Sequence, residues 1–493
     1  MGQPNRTILL LRQPRFRRPG VLLALLLSVV GVIGGCSLEP KTETQAQRDA
    51  ITAAGANYEK PFDRRTLPPL PDRPTWRQVL QRSFLSNGDL EAAYFEWKAS
   101  LARVPAAGAY PNANLQLNYS YLFSSGEMKS WDRTTLGIGF DPSMTLQWPE
   151  KVRTAAKIAL EDTRARGERF RAAKFSLQQK VLTAFIDYAG QNQRVGIQQE
   201  NVDLLKMLQQ NAAQRVRVGG PQQDLLKAQN DYELARNDLA NMQSELNTMR
   251  AMLNGLLGRS GDAALLPPAG IGTEPDMLEP RTIPPTADDG KLIAAAVAQN
   301  PELAALAHDV QGRSDALELA RMAYIPDISP QFSITGSISQ MAGAMATLPT
   351  NLVKIKGSIQ EAKALVSSSV ATARQTRADR AATFIATLYA LRNNERQLEV
   401  LETLILPKTR QVLASSQKSY MSGLVGFADL IDSQRTLLDV RNLILDAHIA
   451  REKRLAELEA LAGVDIETLL MPPTTTTAPA TEEMQNAKLK MQK

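Results

Sequence analysis

Three aspartates lie in two related stretches of the sequence, and two of them occupy matching positions. Asp429 and Asp432 are three residues apart, which puts both carboxylates on one face of a helix. Asp224 precedes Asp429 by 205 positions and opens an earlier helix with a similar pattern. Carboxylates gathered around a narrow opening attract cations, as acidic rings do at constrictions. The alternative is that these aspartates only stabilise helix N-termini through the helix dipole.

The only cysteine, Cys36, follows an N-terminus typical of an exported protein. Arginines precede an apolar run of about 13 residues, from 21 to 33, which is too short to span a bilayer but fits a secretory signal. Gly34 and Gly35 before the cysteine resemble a bacterial lipoprotein box. We therefore predict a signal peptide over 1–35 and lipid on Cys36, although an incidental cysteine in a cleaved signal is the alternative.

The residue after Cys36 bears on the destination of the protein. In such lipoproteins an aspartate at that position commonly signals retention at the inner membrane, and Ser37 stands there instead. This favours the outer membrane of a Gram-negative bacterium. A single cysteine also excludes an internal disulfide framework.

The sequence shows no catalytic or cofactor-binding signature. His308 and His448 are the only histidines, far apart within helical patterns, and we interpret them as ordinary helix-surface or interhelix residues. A phosphate loop, a nucleophile elbow and a Cys/His metal set are all missing from the sequence. We therefore predict no enzyme activity, no cofactor and no metal site. The net charge of +6 depends partly on the N-terminal arginines, so nucleic-acid binding is not indicated.

A very long helix is predicted between two prolines. Residues 150–220 contain no proline, and apolar residues recur there at steps of three, four and seven. At 1.5 Å per residue this helix would be roughly 100 Å long. It ends at a glycine-rich tip, about 217–223, after which a second helix returns. A coiled coil that only dimerises is the alternative for this stretch taken alone.

Four segments alternate apolar and polar residues as β-strands do. They lie at about 112–124, 134–148, 327–340 and 350–360. The first two are long enough for tilted membrane-spanning strands, and their aromatic residues crowd the apolar face as at a lipid boundary. The alternative is a soluble, half-buried hairpin.

The second half of the chain repeats the first. Asp224-Leu225-Leu226 and Gly258 match Asp429-Leu430-Ile431 and Gly463, all 205 positions apart. We therefore predict a duplicated unit of helix, strand, strand, long helix and helix. The mature chain then divides into five predicted segments. They are a lipidated tether at 36–74, a first repeat at 75–258, a linker at 259–290, a second repeat at 291–463 with its tip at about 421–428, and a disordered tail at 464–493. Pro407 is expected to kink the second long helix.

The strands and the helix lengths predict the assembly. Four strands leave open edges, which cannot persist in lipid. Three copies would supply twelve strands and enclose a lumen, so a homotrimer is the simplest closed solution. Two short helices placed end to end match the length of one long helix. Neighbouring apolar seams on the last helix indicate neighbours on both sides, as in the wall of a ring.

Two motifs extend this pattern to a known family. One runs Tyr420-x-x-Gly423-x5-Asp429-Leu430-x-Asp432-x-Gln434-Arg435-Thr436-Leu437-Leu438, and the other is the helix opening Asn300-Pro301-Glu302-Leu303. With the duplicated order of elements, they resemble the TolC-like outer-membrane efflux factors over about 75 to 463. The resemblance implies a mainly α fold with a membrane β-barrel, in which a trimer forms a 12-stranded barrel continued by an α-helical periplasmic tunnel.

The resemblance also implies a function. It is that of a passive exit channel in the outer membrane, serving a tripartite efflux system or a type I secretion system. The implied partners are a periplasmic adaptor (membrane fusion) protein, an inner-membrane pump and outer-membrane lipid. Asp224, Tyr420, Asp429 and Asp432 would fall on gate positions. Where family members place a basic residue two positions after the tip glycine, Val425 stands here.

Another class of protein would explain some of these features. A periplasmic structural or adaptor coiled-coil lipoprotein would also carry long helices and an acylated cysteine. Such a protein has no reason to carry four alternating segments with aromatic faces. A free-standing porin is a weaker alternative, because it has no need of helices roughly 100 Å long.

Overall fold

The computed structural model describes residues 37–110, 115–123, 129–140, 147–268, 283, 288–335 and 339–465. The predicted signal peptide, Cys36 and residues 466–493 of the tail lie outside these ranges. Within the described ranges the chain forms ten helices and four strands, which are α1 Lys41–Gly55, α2 Trp76–Ser86, α3 Gly88–Ala107, β1 Leu115–Tyr121, β2 Thr134–Phe140, α4 Pro149–Arg217, α5 Gln222–Leu256, α6 Asp289–Gln299, α7 Pro301–Arg321, β3 Asp327–Thr335, β4 Ser339–Thr347, α8 Leu352–Val400, α9 Leu406–Met421 and α10 Phe427–Ala462.

Contacts divide the chain into two units. The first contains the strands and the helix segments next to them, and comprises Met1–Lys41, Ala102–Ala159 and Asp315–Gln360. The second contains most of the helical residues, and comprises Thr42–Leu101, Leu160–Ser314 and Glu361–Lys493. Among the described helices, none is long and apolar enough to cross a membrane.

In the first unit the strands form one antiparallel sheet in the order β1-β2-β3-β4. The central β2–β3 pair joins the two sequence repeats. Apolar Tyr119 pairs with Leu136, and both side chains are exposed. Thr135 pairs with Thr335, and their hydroxyl oxygens are 3.1 Å apart. The first three predicted strands are thus present but shorter than predicted. Residues 122–123 and 147–148 lie in the predicted segments but outside β1 and β2, and the segment predicted as 327–340 also takes in the first residues of β4.

The fourth predicted strand is wrong. Most of 350–360 belongs to α8, which begins at Leu352, and the fourth strand is the earlier β4. Asn351 opens the helix, because its side-chain oxygen accepts a hydrogen bond from the Lys354 amide at 3.0 Å. The β-branched residues around Ile355 suggested a strand, but the capped helix overrides that propensity. β4 is rich in alanine and glycine and gains its conformation from backbone pairing along all of β3.

The extended tether predicted over 36–74 is also wrong in part. Residues 41–55 form α1, because they include alanine and glutamine, which favour helices, and no proline. α1 packs closely on α3, where a Cβ added to Gly55 would lie 2.0 Å from the Tyr94 ring. The following residues are bound as well, since the Tyr58 hydroxyl donates to the Phe84 carbonyl at 2.6 Å.

The long helices largely match their predictions. α4 is continuous over 69 residues. The second long helix begins at Leu352 and changes its hydrogen-bonding pattern near Pro407. Leu401–Ile405 form a π-helical turn, in which the Leu406 amide bonds to the Leu401 carbonyl. Proline lacks an amide hydrogen and its ring crowds the preceding turn, and a wider turn at this position accommodates both effects.

In the second unit the shorter helices meet end to end. α10 ends at Gly463, whose φ of +70° suits glycine, and a Cβ there would lie 2.2 Å from Pro301 at the start of α7. Asn300 ties the junction, because its side chain donates to the Leu461 carbonyl at 2.6 Å and accepts from the Leu303 amide at 2.9 Å.

The first repeat has the matching junction. α5 is followed by Gly258, whose φ is +62°, and a Cβ on it would lie 3.0 Å from Ser86 at the end of α2. Asn87 then opens α3 by accepting a hydrogen bond from the Leu90 amide at 3.0 Å. The end-to-end arrangement expected from helix lengths is therefore present in both repeats.

The packing at Gly463 can be tested by comparison with a glycine that has a similar backbone conformation but open space around its Cα. Gly423 has a φ of +73° and no atom within 4 Å of an added Cβ. Both Gly463→Ala and Gly423→Ala carry the cost of a positive φ, about 1 kcal/mol. Only Gly463→Ala also pushes against Pro301, so we expect it to lower the thermal unfolding midpoint in detergent further. Equal midpoints for the two variants would contradict close packing at the junction.

Candidate functional site

The two helical hairpins of the second unit end in similar turns. In the first, Gly219 has a φ of +94° and the Gly220 amide donates to the Arg215 carbonyl at 2.8 Å. In the second, Gly423 has a φ of +73° and the Leu424 amide donates to the Ser419 carbonyl at 2.9 Å. These left-handed turns satisfy the last carbonyls of α4 and α9. Both tips lie where the sequence predicted them.

A shared apolar core holds the two hairpins together near their tips. Its members come from α4, α5, α9 and α10, so a single apolar core joins the two hairpins. The buried residues are Val202, Leu205, Leu208, Ala212, Ala228, Ala235, Leu239, Leu413, Tyr420, Phe427, Leu430 and Ile431. Val425, two positions after the glycine of the second tip, packs against this cluster.

The two aspartates of the second tip differ in their contacts. Asp429 accepts a hydrogen bond from the Gly426 amide at 3.2 Å and so closes the first turn of α10. Asp432 follows one turn later and is exposed, as Asp429 is. The helix-stabilising alternative is therefore present at Asp429. The exposed carboxylates can also meet ions from solvent.

The third aspartate lies at the first tip. Asp224 is in the first turn of α5, where its negative charge suits the helix N-terminus, and its side chain is partly buried. Its amide donates to the Pro221 carbonyl at 3.3 Å. The structure thus places one aspartate in the first turn of each returning helix.

Tyr420 lies inside the tip core. Its side chain is 5% exposed, and its ring meets Phe427 edge to face at a centroid distance of 5.8 Å. Tyr420 lies nine residues before Asp429 across the tip, a spacing that makes a hydrogen bond between the two side chains the expected local pairing. This pairing is absent, because the Tyr420 hydroxyl has no hydrogen-bond partner among the described residues.

Sequence reasoning missed the residue that does meet Tyr420. The guanidinium carbon of Arg215 lies 4.4 Å from the centre of the Tyr420 ring, and Arg215 Nη1 donates to the Tyr420 carbonyl at 3.4 Å. A basic residue in the last turn of a helix is explained by the helix dipole alone. Its contact with a distant tyrosine could be found only once the two tips were placed side by side.

The histidines lie in separate interhelix pairs. His308 Nδ1 is 2.8 Å from Glu161, and His448 Nε2 is 2.9 Å from Glu402 in the π-helical turn. No group of His, Cys, Asp and Glu within the described part of the chain has the arrangement of a metal site. Burial raises the pKa of Asp309 next to His308, and the neighbouring Arg169 opposes this shift.

The comparisons with known proteins agree on one family. The chain matches the family described as outer membrane efflux protein over residues 79–259 and 292–464. OprJ, an outer membrane protein of Pseudomonas aeruginosa, is 24% identical over 483 residues, which cover 92% of this chain and 97% of OprJ. CusC of Escherichia coli K12, named a cation efflux system protein, is 23% identical over 398 residues, which cover 76% of this chain and 83% of CusC.

Solved structures share the fold. A crystal structure of CusC covers 79% of this chain and 92% of its own, with a TM-score of 0.66 at 18% identity. The open-state MtrE channel of Neisseria gonorrhoeae covers 79% of this chain and 89% of its own, with a TM-score of 0.65 at 18% identity. The two segments that match the family coincide with the two sequence repeats and together make up more than half of the chain. The resemblance inferred from the sequence is confirmed, and this protein belongs to the outer membrane efflux protein family, the outer-membrane channels of tripartite efflux systems.

Proposed function

We propose that this protein works as a passive exit duct, a lipid-anchored homotrimer that receives cargo from an inner-membrane pump through a periplasmic adaptor. The observation that carries the proposal is the four-stranded sheet with β1 and β4 at its edges, combined with two long helical hairpins in the same chain. Unpaired edges cannot persist in lipid, and three copies pair every edge in a ring of twelve strands.

The chemistry of the described residues supports a conduit that does not act on its cargo. The candidate site consists of carboxylates, one aromatic ring and one guanidinium at the tips, without a nucleophile next to a base. Energy and choice of cargo then belong to the pump. The same reasoning applies to a type I secretion system, in which an exporter takes the place of the efflux pump.

The rival, a periplasmic structural or adaptor coiled-coil lipoprotein, accounts for less of the structure. It explains the hairpins but leaves the sheet without a purpose. Apolar side chains such as Tyr119 and Leu136 are 68% and 43% exposed on one face of that sheet. Such a face suits lipid, whereas in the periplasm it would face water.

We expect a trimer when the protein is extracted in mild detergent. Native mass spectrometry should give three times the mass of the chain, because three copies pair the edges of all the sheets in one closed ring. A stable monomer or dimer that survives at high protein concentration would exclude the ring of twelve strands.

The lipid anchor is proposed at Cys36. The chain just after it is tied to the end of α3, because the Leu38 amide donates to the Gly108 carbonyl at 2.8 Å and the Ser37 hydroxyl donates to the Pro105 carbonyl at 3.3 Å. Within the same unit, β1 begins soon afterwards at Leu115. A lipid on Cys36 would therefore be held next to the end of α3, a few residues before the first strand of the sheet that meets the bilayer.

Mass spectrometry of the purified protein tests the anchor. We expect a mature chain that begins at Cys36 and carries acyl chains, and we expect Cys36→Ser to lose them. Ser37→Ala is the matched control, because it changes the neighbouring residue and keeps the thiol that is acylated. An unmodified N-terminus upstream of residue 36 would rule out the lipoprotein assignment.

The gate is proposed at the tips. In a trimer, Asp429 and Asp432 would form two stacked carboxylate rings at the periplasmic mouth, with Asp224 at the neighbouring tip. Such rings attract divalent cations, which would narrow the entrance and block conduction. Tyr420 would belong to the gate through its place in the tip core.

Conductance in planar bilayers tests the acidic rings. Divalent cations added on the periplasmic side should block the wild-type channel. Removing both carboxylates with Asp429→Ala and Asp432→Ala should relieve that block and raise conductance. Asp439→Ala is the matched control, because Asp439 is also exposed and lies two turns further along α10. If the double variant keeps the wild-type block, both aspartates only stabilise the helix start and the gate lies elsewhere.

A further inference from the structure

The first tip holds the backbone of Arg215 in a fixed position. Arg215 is in the last turn of α4, and its carbonyl accepts hydrogen bonds from the Val218 amide at 3.1 Å and the Gly220 amide at 2.8 Å. A Cβ added to Gly220 would lie 2.9 Å from the same carbonyl oxygen. The turn therefore packs directly on the backbone of Arg215 and fixes the position from which the Arg215 side chain extends.

The side chain of Arg215 reaches the other hairpin. Its guanidinium carbon is 4.4 Å from the centre of the Tyr420 ring, and its Nη1 donates to the Tyr420 carbonyl at 3.4 Å. That carbonyl also accepts from the Gly423 amide at 3.1 Å, so the arginine bonds to the turn of the second tip itself. A cation over a ring within about 6 Å is attracted to it, and more strongly where water is excluded.

The contact uses the ring of Tyr420. Its hydroxyl is buried and has no hydrogen-bond partner among the described residues. Its ring, in contrast, contacts both the Arg215 guanidinium and the Phe427 ring. Val425 supplies no charge to the second tip. Arg215 thus provides a cationic contact between the hairpins at a place where the second tip has an apolar residue.

We propose that Arg215 is a positioning residue that holds the second tip against the first through the Tyr420 ring and thereby restrains the gate. Its effect on conduction rests on the function proposed above. The contact between the tips does not depend on that function, so the two can be tested separately.

Hydrogen exchange of the full-length protein tests the contact. Arg215→Met keeps a long side chain and removes the charge, and Arg217→Met is the matched control on the exposed residue two positions later. Amides of the second tip, residues 419–428, should exchange about tenfold faster in Arg215→Met, as loss of a partly desolvated cation–π contact allows. They should keep their wild-type rates in Arg217→Met. Wild-type rates in both variants would overturn the proposal.

Conductance in planar bilayers tests the restraint on the gate, and the tyrosine variants test the ring. Arg215→Met and Tyr420→Leu should each raise conductance, and combining them should add little because they remove the same contact. Tyr420→Phe should stay near wild type, since the ring remains. The conductance of Arg215→Lys should lie between those of the wild type and Arg215→Met, because an ammonium keeps the charge without the planar group.

The outcomes separate the two ideas. Faster exchange at the second tip with unchanged conductance would show that the contact exists but does not restrain conduction, which overturns the restraint, whereas the acidic-ring variants decide whether the tips form the gate. A Tyr420→Phe channel as open as Tyr420→Leu would show that the hydroxyl carries the effect, which overturns the role of the ring. Additive effects of Arg215→Met and Tyr420→Leu would show that the two residues act separately.

Discussion

A 69-residue helix with apolar side chains along its length must be covered along its length, and much of the structure follows from that constraint. Buried positions on α4 run from Val152 and Leu160 near its start to Leu205 and Ala212 near its end. The helix that returns after the first tip, α5, has only 35 residues, so shorter helices meet end to end beside the long ones. The junctions at Gly258 and Gly463 solve this in both repeats, because a left-handed glycine lets one helix stop where the next begins.

The sequence predicted those features in which a local pattern and the tertiary structure agree. The period of α4, the tip glycines and the capping asparagine Asn300 all act within a few residues of where they stand. β4 could not be predicted in the same way, because its three alanines and Gly343 form a strand only through pairing with β3. α1 was hidden for a related reason, since the close approach of Gly55 to Tyr94 becomes visible only when α3 is in place.

The candidate site shows the same division. Asp429 could be placed at the start of a helix from its position after the tip, and it does close the first turn of α10. Tyr420 could be placed near the tip but its partner could not, because Arg215 lies 205 residues earlier in the chain. A long-range contact between two turns leaves no periodic trace in either segment. The charge at the tips is therefore of two kinds, exposed carboxylates that can meet ions and a guanidinium held over a buried ring.

The central claim is that three copies close the sheet edges into one duct, and cysteine cross-linking at those edges tests it most directly. In a Cys36→Ser background, Asn118→Cys on β1 would be combined with Met341→Cys or Gly343→Cys on β4. Asn118→Cys with Gly137→Cys is the control, because these positions pair within one chain. The account predicts that oxidation in outer membranes gives covalently linked trimers from a β1–β4 pair and no intermolecular link from the control pair. Chains that remain monomeric across all β1–β4 pairs, while the control pair forms its internal disulfide, would contradict it.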